Sequence, residues 1–299
     1  MKMRIISVVL LCLGFAFNGY SQRDTIVNPN SVEKIPFYEQ LYRFRVWRNV
    51  NLLEKQNAGF KSAKSDIGAF LIKAIRNGSL IAYDGDSVKA AKTPDEVLVL
   101  NAAVASPAFE ATKNYVASEE VSYKGQNYVS SRNDNTGHLP TDTQWWELSG
   151  NQTEILQPAQ IKELQIVEDV IFDKRRSRLY YDILYVGIIV EKDGNYNPKG
   201  YVYYKDLVNL IEKAAHSKDL DERDKVQWRN RYNPSENKSF VDAFKLRLFH
   251  GVIEKVENPD DRTIQQVYEM NGRTIGESVF ARWEEDMKMM EKEHNLWEY

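Results

Sequence analysis

Residues 178–190 read Arg-Leu-Tyr-Tyr-Asp-Ile-Leu-Tyr-Val-Gly-Ile-Ile-Val, and this stretch decides the fold class. Tyrosines and β-branched residues favour strands, and the apolar end of the run predicts a strand that is largely buried there. Asp193-Gly194-Asn195 follows as a turn, and residues 201–204 are expected to return as the hairpin partner. An antiparallel sheet is therefore predicted in this part of the chain.

Helices are predicted on both sides of this hairpin. Residues 65–77 carry apolar side chains at helical spacing, with Ser65 suited to the N-cap and Gly78 to the position after the helix. They lead into a strand at residues 80–83, and a second helix is expected over residues 206–216. Together these segments indicate an α+β fold, an antiparallel sheet flanked by helices.

The last quarter of the chain predicts two further helices. One begins at Ser239, which suits an N-cap, and apolar residues then recur every four positions as far as Val252. The other is highly charged and carries one apolar face. That face consists of Val279, Phe280, Trp283, Met287 and Met290. The terminal aromatic residues Trp297 and Tyr299 indicate that the tail from Glu293 onward is docked on the protein.

A change in composition between Asn114 and Ser149 predicts a small inserted module. It separates the flanking parts 22–113 and 150–299 of one domain. Lys124-Gly125 lies between two alternating runs, which predicts a tight hairpin, and a third strand carries two tryptophans. Because successive side chains of a strand point to opposite faces, one indole is expected in the small core and the other at the surface.

The module resembles the short chitin- or cellulose-binding fold of chitinases and phage tail proteins. An exposed indole suits stacking on a sugar ring, since it combines a large flat area with a polar edge. The candidate glycan-binding residues are Trp145, Trp146, Tyr128 and Tyr123. Peptidoglycan is the candidate ligand if the protein is periplasmic. The alternative is that all four residues only pack the core and the hairpin.

The first 21 residues have the layout of a secretory signal peptide. Lys2 and Arg4 precede an apolar run of 13 residues, and small residues place the cleavage after Ser21. The run is shorter than the roughly 20 residues of a membrane-spanning helix, although an uncleaved anchor stays an alternative. The single cysteine, Cys12, lies inside this segment, and Leu11 before it does not suit a lipoprotein signal. The mature chain therefore has no disulfide or thiolate site.

Charge and motifs exclude several classes of function. The mature chain has 38 basic and 43 acidic residues, a net charge of −5, which argues against nucleic-acid binding. Hydrolase, zinc-protease, P-loop and dinucleotide-binding motifs are absent from the sequence. His250 and Glu254 are predicted to share a helix face and could supply two metal ligands, but an ordinary surface pair explains them as well. No catalytic residue, metal site or cofactor is predicted.

Several stretches of the sequence stand in a specific order. They are 45–57 (Arg-Val-Trp-Arg-Asn-Val-Asn-Leu-Leu-Glu-Lys-Gln-Asn), 168–177 (Glu-Asp-Val-Ile-Phe-Asp-Lys-Arg-Arg-Ser), 239–249, 257–264 and 293–299. In this order the stretches resemble the gliding-motility and type IX secretion family GldN (PorN). The sequence departs from the family pattern at Asn51, Leu53 and Val170, which puts partner contacts at those points in doubt.

The resemblance implies a non-enzymatic structural protein of the periplasm, held at the outer membrane by a partner. The implied partners are an outer-membrane lipoprotein of the GldK/PorK type, in a ring that holds many copies of both chains, and the periplasmic arm of a GldM/PorM-like motor. The candidate partner-contact residues are Trp47, Arg48, Arg175, Arg176, Trp297 and Tyr299.

Other interpretations stay open from the sequence. The basic run 174–178 is either a contact for an acidic partner or a solvated entry into the strand. In the alternative function, a secreted carbohydrate-binding or cell-wall-associated protein is targeted by the inserted module. A solute-binding protein is disfavoured because the chain shows no two-lobed repeat.

Overall fold

The computed structural model describes residues 26–192 and 195–296. The predicted signal peptide, most of the predicted turn at 193–195 and the terminal Trp297 and Tyr299 lie outside the described residues. The α-helices are α1 (Ile67–Arg76), α2 (Pro94–Leu98), α3 (Tyr204–Ala215), α4 (Leu220–Asp224), α5 (Phe240–Lys245), α6 (Ile264–Met270) and α7 (Ile275–His294). Short 3-10 helices cover Phe37–Glu39, Lys55–Phe60, Pro158–Gln160 and Pro234–Glu236.

Strands of very different length form one large sheet and four small ones. They are β1 (Gln40–Asn51), β2 (Ala82–Asp84), β3 (Ala90–Lys92), β4 (Val99–Asn101), β5 (Asn114–Tyr115), β6 (Glu120–Tyr123), β7 (Gln126–Ser130), β8 (Asn135–Thr136), β9 (Trp146–Leu148), β10 (Glu154–Ile155), β11 (Ile161–Asp173), β12 (Arg178–Lys192), β13 (Asn195–Tyr203), β14 (Gln227–Trp228), β15 (Lys238–Ser239) and β16 (Val252–Val256). The large sheet has the order β16-β1-β11-β12-β13-β2-β3 and is antiparallel throughout.

The predicted hairpin and the α+β class are confirmed. β12 pairs with β13, with Tyr185 opposite Tyr203 and Val186 opposite Val202. Its apolar end is buried as predicted, since Val186 and Ile188 are inaccessible to solvent. α1, α3 and α5 pack on the sheet and bury the main core. A smaller core forms where α6 and α7 pack near β1 and β16.

The first helix is confirmed, but its N-cap is not the predicted residue. Asp66 Oδ1 accepts hydrogen bonds from the backbone N–H groups of Gly68 and Ala69, at 2.7 and 3.2 Å. Ser65 instead donates its hydroxyl to a backbone carbonyl of the segment that leads into β14. Gly78 follows the helix as predicted, with φ at +67°. A buried contact from another segment therefore takes Ser65 away from the cap.

The helix that begins at Ser239 is shorter than predicted. Ser239 is the N-cap as expected and accepts the N–H of Asp242 at 3.0 Å, but α5 ends at Lys245. Arg247 has φ at +52°, a left-handed conformation that no helix continues. Val252 starts β16 and pairs with Asn49 of β1. The apolar residues that recur every four positions and predicted one helix therefore lie in a helix, a turn and an edge strand.

The predicted charged helix is confirmed as α7, and its apolar face points away from the chain. The exposed fractions are 44 % for Val279, 71 % for Phe280, 50 % for Trp283, 57 % for Met287 and 66 % for Met290. Small or flexible side chains instead pack against the rest of the chain: Ser278, Ala281 and Met289 are buried. Among the described residues, no helix has the length and apolar character needed to cross a bilayer.

The inserted module is a small β unit with its own core. A three-stranded sheet of order β6-β7-β9 lies beside the pair β5-β8, and the pair β4-β10 connects the unit to the main domain. Its hydrogen bonds extend beyond 114–149: the Ser122 N–H donates to Pro107 O at 2.7 Å, and Asn127 Nδ2 donates to Asn151 O at 2.9 Å. The unit therefore takes in residues on both sides of the predicted boundaries.

Candidate functional site

A buried charge cluster joins three of the family-like stretches to α7. Glu168 of β11 is fully buried and accepts hydrogen bonds from Arg48 Nε at 3.1 Å and from Arg247 Nη1 at 2.6 Å. Arg48 of β1 also donates to both carboxylate oxygens of Asp286 in α7, at 3.0 and 2.7 Å, and to Gly251 O at 2.8 Å. One guanidinium thus connects two central strands and the last helix.

The ion pairs of this cluster favour the ionised forms of Glu168 and Arg48. Burial alone would raise the pKa of Glu168, but the charges and hydrogen bonds of Arg247 and Arg48 outweigh burial and lower that pKa. The pKa of Arg48 is raised, because Asp286 and Glu168 compensate its desolvation. Since each of these charges has an ionic partner, the cluster is suited to holding α7 on the sheet rather than to transferring protons.

Trp47 and Arg48, two of the predicted partner-contact residues, are used inside the chain. Their exposed fractions are only 8 % and 6 %. Lys255 Nζ lies 3.7 Å from the centre of the Trp47 ring, a cation–π contact, and pairs with Asp261 at 2.7 Å. Both side chains are thus engaged within the chain, and a partner contact at Trp47 or Arg48 stays a prediction.

Arg175 and Arg176 are displayed on the tight turn between β11 and β12. Asp173 Oδ1 accepts the backbone N–H groups of both residues, at 2.9 and 3.3 Å, and Ser177 takes φ at +50° to close the turn. The arginine side chains are 77 % and 54 % exposed. Each exposed guanidinium also has a carboxylate of the chain nearby, Arg175 at 3.8 Å from Glu39 and Arg176 at 3.3 Å from Asp173. This geometry is compatible with either interpretation of the basic run.

The structure separates the roles of the two module tryptophans. Trp146 is only 2 % exposed, packs against Tyr115 with ring centres 5.1 Å apart, and donates Nε1–H to His138 O at 2.9 Å. It is a core residue, so its predicted role as a glycan platform is wrong. Trp145 is half-buried, lies in the turn before β9 and stacks on His138 at 4.0 Å. One indole is buried and the other reaches the surface, as predicted.

The two candidate tyrosines are also partly used within the module. Tyr128 is half-buried against the module core and donates its hydroxyl to Gln126 Oε1 at 2.8 Å. Tyr123 lies edge-on to Phe109, with ring centres 5.6 Å apart. Sequence analysis missed Phe109, which precedes the predicted boundary. Trp145 is engaged within the module as well, because His138 stacks on its ring and the Arg132 guanidinium lies 5.5 Å from the centre of that ring.

The predicted pairing of His250 and Glu254 on a helix is wrong. Because α5 ends early, His250 lies in the segment between α5 and β16, and Glu254 lies in β16. Glu254 pairs with Arg282 at 2.9 Å, and His250 Nδ1 lies 2.8 Å from Glu54 Oε2. No group of three or more His, Cys, Asp or Glu side chains within residues 26–192 and 195–296 is arranged to hold a metal ion.

A comparison with known protein families matches the segments that build the buried charge cluster. The model of a family described as gliding motility associated protein GldN matches residues 35–298. The match takes in β1, β11, α5 and α7, whose residues build the buried charge cluster. No curated protein matches the chain. Since the family model covers almost all of the chain beyond the predicted signal peptide, the protein belongs to the GldN family of gliding motility associated proteins.

Proposed function

We propose that this protein is a periplasmic structural component of the type IX secretion and gliding machinery, and that it forms a ring with an outer-membrane lipoprotein. Membership of the GldN family, matched over residues 35–298, carries the proposal. Membership of this family identifies the chain as a component of the gliding and type IX secretion machinery. The periplasmic position, the ring, the GldK/PorK-like lipoprotein and the GldM/PorM-like motor arm are the finer parts that need testing.

Two observations support a structural rather than a catalytic role. Three charged residues from the family-like stretches, Glu168, Arg48 and Arg247, pair with one another inside the fold. The arginines on the turn between β11 and β12 are exposed and can reach an acidic surface. The predicted signal peptide supports export.

Purification from the native envelope tests this proposal. The tagged protein is extracted in mild detergent and examined by mass spectrometry and negative-stain microscopy. We expect an outer-membrane lipoprotein in stoichiometric amount and ring-shaped particles. A monomer with no envelope partner would overturn the proposal.

Charge reversal tests the exposed turn in the same extract. Arg175→Glu with Arg176→Glu is expected to lower lipoprotein recovery, because like charges then oppose an acidic partner surface. The matched control is Lys89→Glu with Lys218→Glu, two exposed lysines elsewhere on the chain. Equal recovery from the two double variants would remove the turn from the proposed contact.

A second candidate function is glycan binding by the inserted module, which would make the chain a carbohydrate-binding or cell-wall-associated protein. The half-buried indole of Trp145, in the turn before β9, supports it, since aromatic rings stack on sugars. Trp145→Ala should reduce co-sedimentation with peptidoglycan sacculi. Tyr232→Ala, at a tyrosine that is 95 % exposed outside the module, is the control. Undiminished sedimentation of the Trp145 variant would reject this function.

A further inference from the structure

The outer face of α7 carries an apolar seam that is largely exposed. Phe280, Trp283, Met287 and Met290 follow one another at intervals of three, four and three residues. This is the spacing of the a and d positions of a coiled coil. All four side chains are at least half exposed. Exposed apolar area of this kind on a folded protein marks an interaction surface.

The opposite face of α7 is already held by the rest of the protein. Asp286 is bound to Arg48, and Glu293 Oε1 accepts the backbone N–H of Leu179 at 3.1 Å. Ala281 and Met289 are buried in the smaller core. These contacts fix which face of the helix points outward, so the seam is presented on a rigid element.

The edge of the seam is acidic along its whole length. Glu277, Glu284 and Glu291 are exposed and follow at seven-residue intervals, which places them at the e positions beside the a and d residues. Glu284 and Glu291 form no ion pair with a described residue, whereas Glu277 caps the start of the helix at Thr274. Coiled-coil flanks of one sign select a helix with the opposite sign.

A further carboxylate lies beside the middle of the seam. The His250 ring stacks on Trp283 with centres 5.3 Å apart, and its Nδ1 lies 2.8 Å from Glu54 Oε2. The other flank of the helix, at the g positions, carries Asp286 and Glu293. Asp286 and Glu293 are engaged with Arg48 and with the Leu179 N–H. The acidic residues that have no ion pair with a described residue, Glu284 and Glu291, therefore lie on the e flank of the seam.

We infer that this seam docks a basic amphipathic helix of another component of the secretion machinery, an inference that rests on the proposed function. A second copy of this chain does not fit. Antiparallel pairing of two α7 helices would set the e-position glutamates against each other, which repels, and parallel pairing would offer them no basic residue at the g positions. An anionic membrane surface is disfavoured for the same reason, because Lys and Arg are the residues that bind it.

Site-specific photo-crosslinking in the native envelope tests the inference. Met287→benzoylphenylalanine places the probe in the seam, and Tyr232→benzoylphenylalanine places it on an exposed residue elsewhere. We expect the seam probe to capture one component at a segment with apolar heptad positions flanked by Lys or Arg. Capture of a second copy of this chain, of lipid only, or of nothing would overturn the inference.

Charge variants separate a specific contact from a sticky surface. In the probe background, Glu284→Lys with Glu291→Lys should lower crosslinking by about tenfold or more, and reversal of the facing basic residues to Glu should restore it. The control pair Glu110→Lys and Glu147→Lys, both exposed in the module region, should leave it unchanged. Insensitivity to the α7 pair would reject charge selection and with it the inferred partner.

The lipoprotein pull-down distinguishes a failure of this inference from a failure of the proposed function. If the wild-type chain recovers the lipoprotein but the seam probe captures no basic helix, the inference fails and the proposed function stands. If the wild-type chain recovers no component of the machinery, both fail.

Discussion

At the scale of one residue, Glu168 is a buried carboxylate that is stabilised by two arginine partners. A carboxylate removed from water is destabilising unless ionic partners and hydrogen bonds compensate its desolvation. Arg247 and Arg48 supply three nitrogen–oxygen contacts to Glu168, between 2.6 and 3.1 Å. The same network couples β1, β11 and α7. A single substitution here is therefore expected to act on stability and on the position of α7 together.

Glu168→Gln should lower the free energy of unfolding by about 3–5 kcal/mol, because the buried Arg48 and the half-buried Arg247 lose their shared counter-charge. Urea unfolding measures this. Glu163→Gln, on the same strand, is the matched control: burial raises the pKa of Glu163, and this carboxylate has no ion pair with a described residue. The control should be neutral or slightly stabilising. Equal losses in the two variants would contradict the role given to the cluster.

Asp182 is expected to make the stability of the protein fall as the pH rises. Burial, followed by the nearby carboxylates of Asp169 and Glu33, raises the pKa of Asp182 to about 7, although Ser31 donates a hydrogen bond to it. The folded state therefore binds this proton more tightly than the unfolded state, whose pKa is about 3.9. The stabilising contribution is complete below the unfolded pKa and is lost as the pH rises through about 7.

Asp182→Asn cannot ionise, so its stability relative to the natural chain should increase from about pH 5 to about pH 8. Denaturant unfolding at the two pH values measures this difference. A constant difference across that window would show that Asp182 does not titrate there.

At the scale of elements, local patterns predicted helices and strands better than they predicted where those elements end. The apolar residues from Phe240 to Val252 have helical spacing, yet Arg247 breaks the helix. Its guanidinium reaches Glu168 and lies 4.2 Å from the centre of the Tyr181 ring. These contacts with distant strands outweigh the local preference for helix.

Removal of residues 293–299 tests the predicted docking of the tail. The truncation deletes the carboxylate of Glu293 that accepts the Leu179 N–H, so we expect a loss of about 1–3 kcal/mol in the free energy of unfolding. Glu293→Ala should reproduce part of the loss, and Glu291→Ala, on the exposed side of α7, should not. Unchanged stability together with normal complex assembly in the truncated chain would argue against a docked tail.

At the scale of the whole molecule, the chain consists of a sheet domain and an inserted β module. The module has its own core of Phe109, Tyr115, Val121 and Trp146, and the main core contains none of these residues. The pair β4-β10 holds the entry and the exit of the insertion together. Such an arrangement lets one unit be removed without opening the core of the other.

Replacement of residues 103–152 by a short Gly-Ser linker should leave the sheet domain folded. Main-core residues near the junction, such as Leu98 and Leu156, are retained in this variant. Circular dichroism and cooperative thermal unfolding measure the outcome. Loss of a cooperative transition would show that the module is needed for folding. If the variant folds and still assembles with the lipoprotein, the module serves another contact.

The sequence by itself determined the elements whose signals are local. The β12–β13 hairpin, α1, α3, α7 and the burial of one module tryptophan all follow from periodicity and turn chemistry within about 20 neighbouring residues. Only the tertiary structure decided which charges meet and which face of α7 is free. Arg48 and Asp286 are 238 positions apart in the chain, and no local pattern encodes that contact. The physical reason is that a buried charge finds its partner through the fold, while a helix or a hairpin is stabilised by its neighbours in sequence.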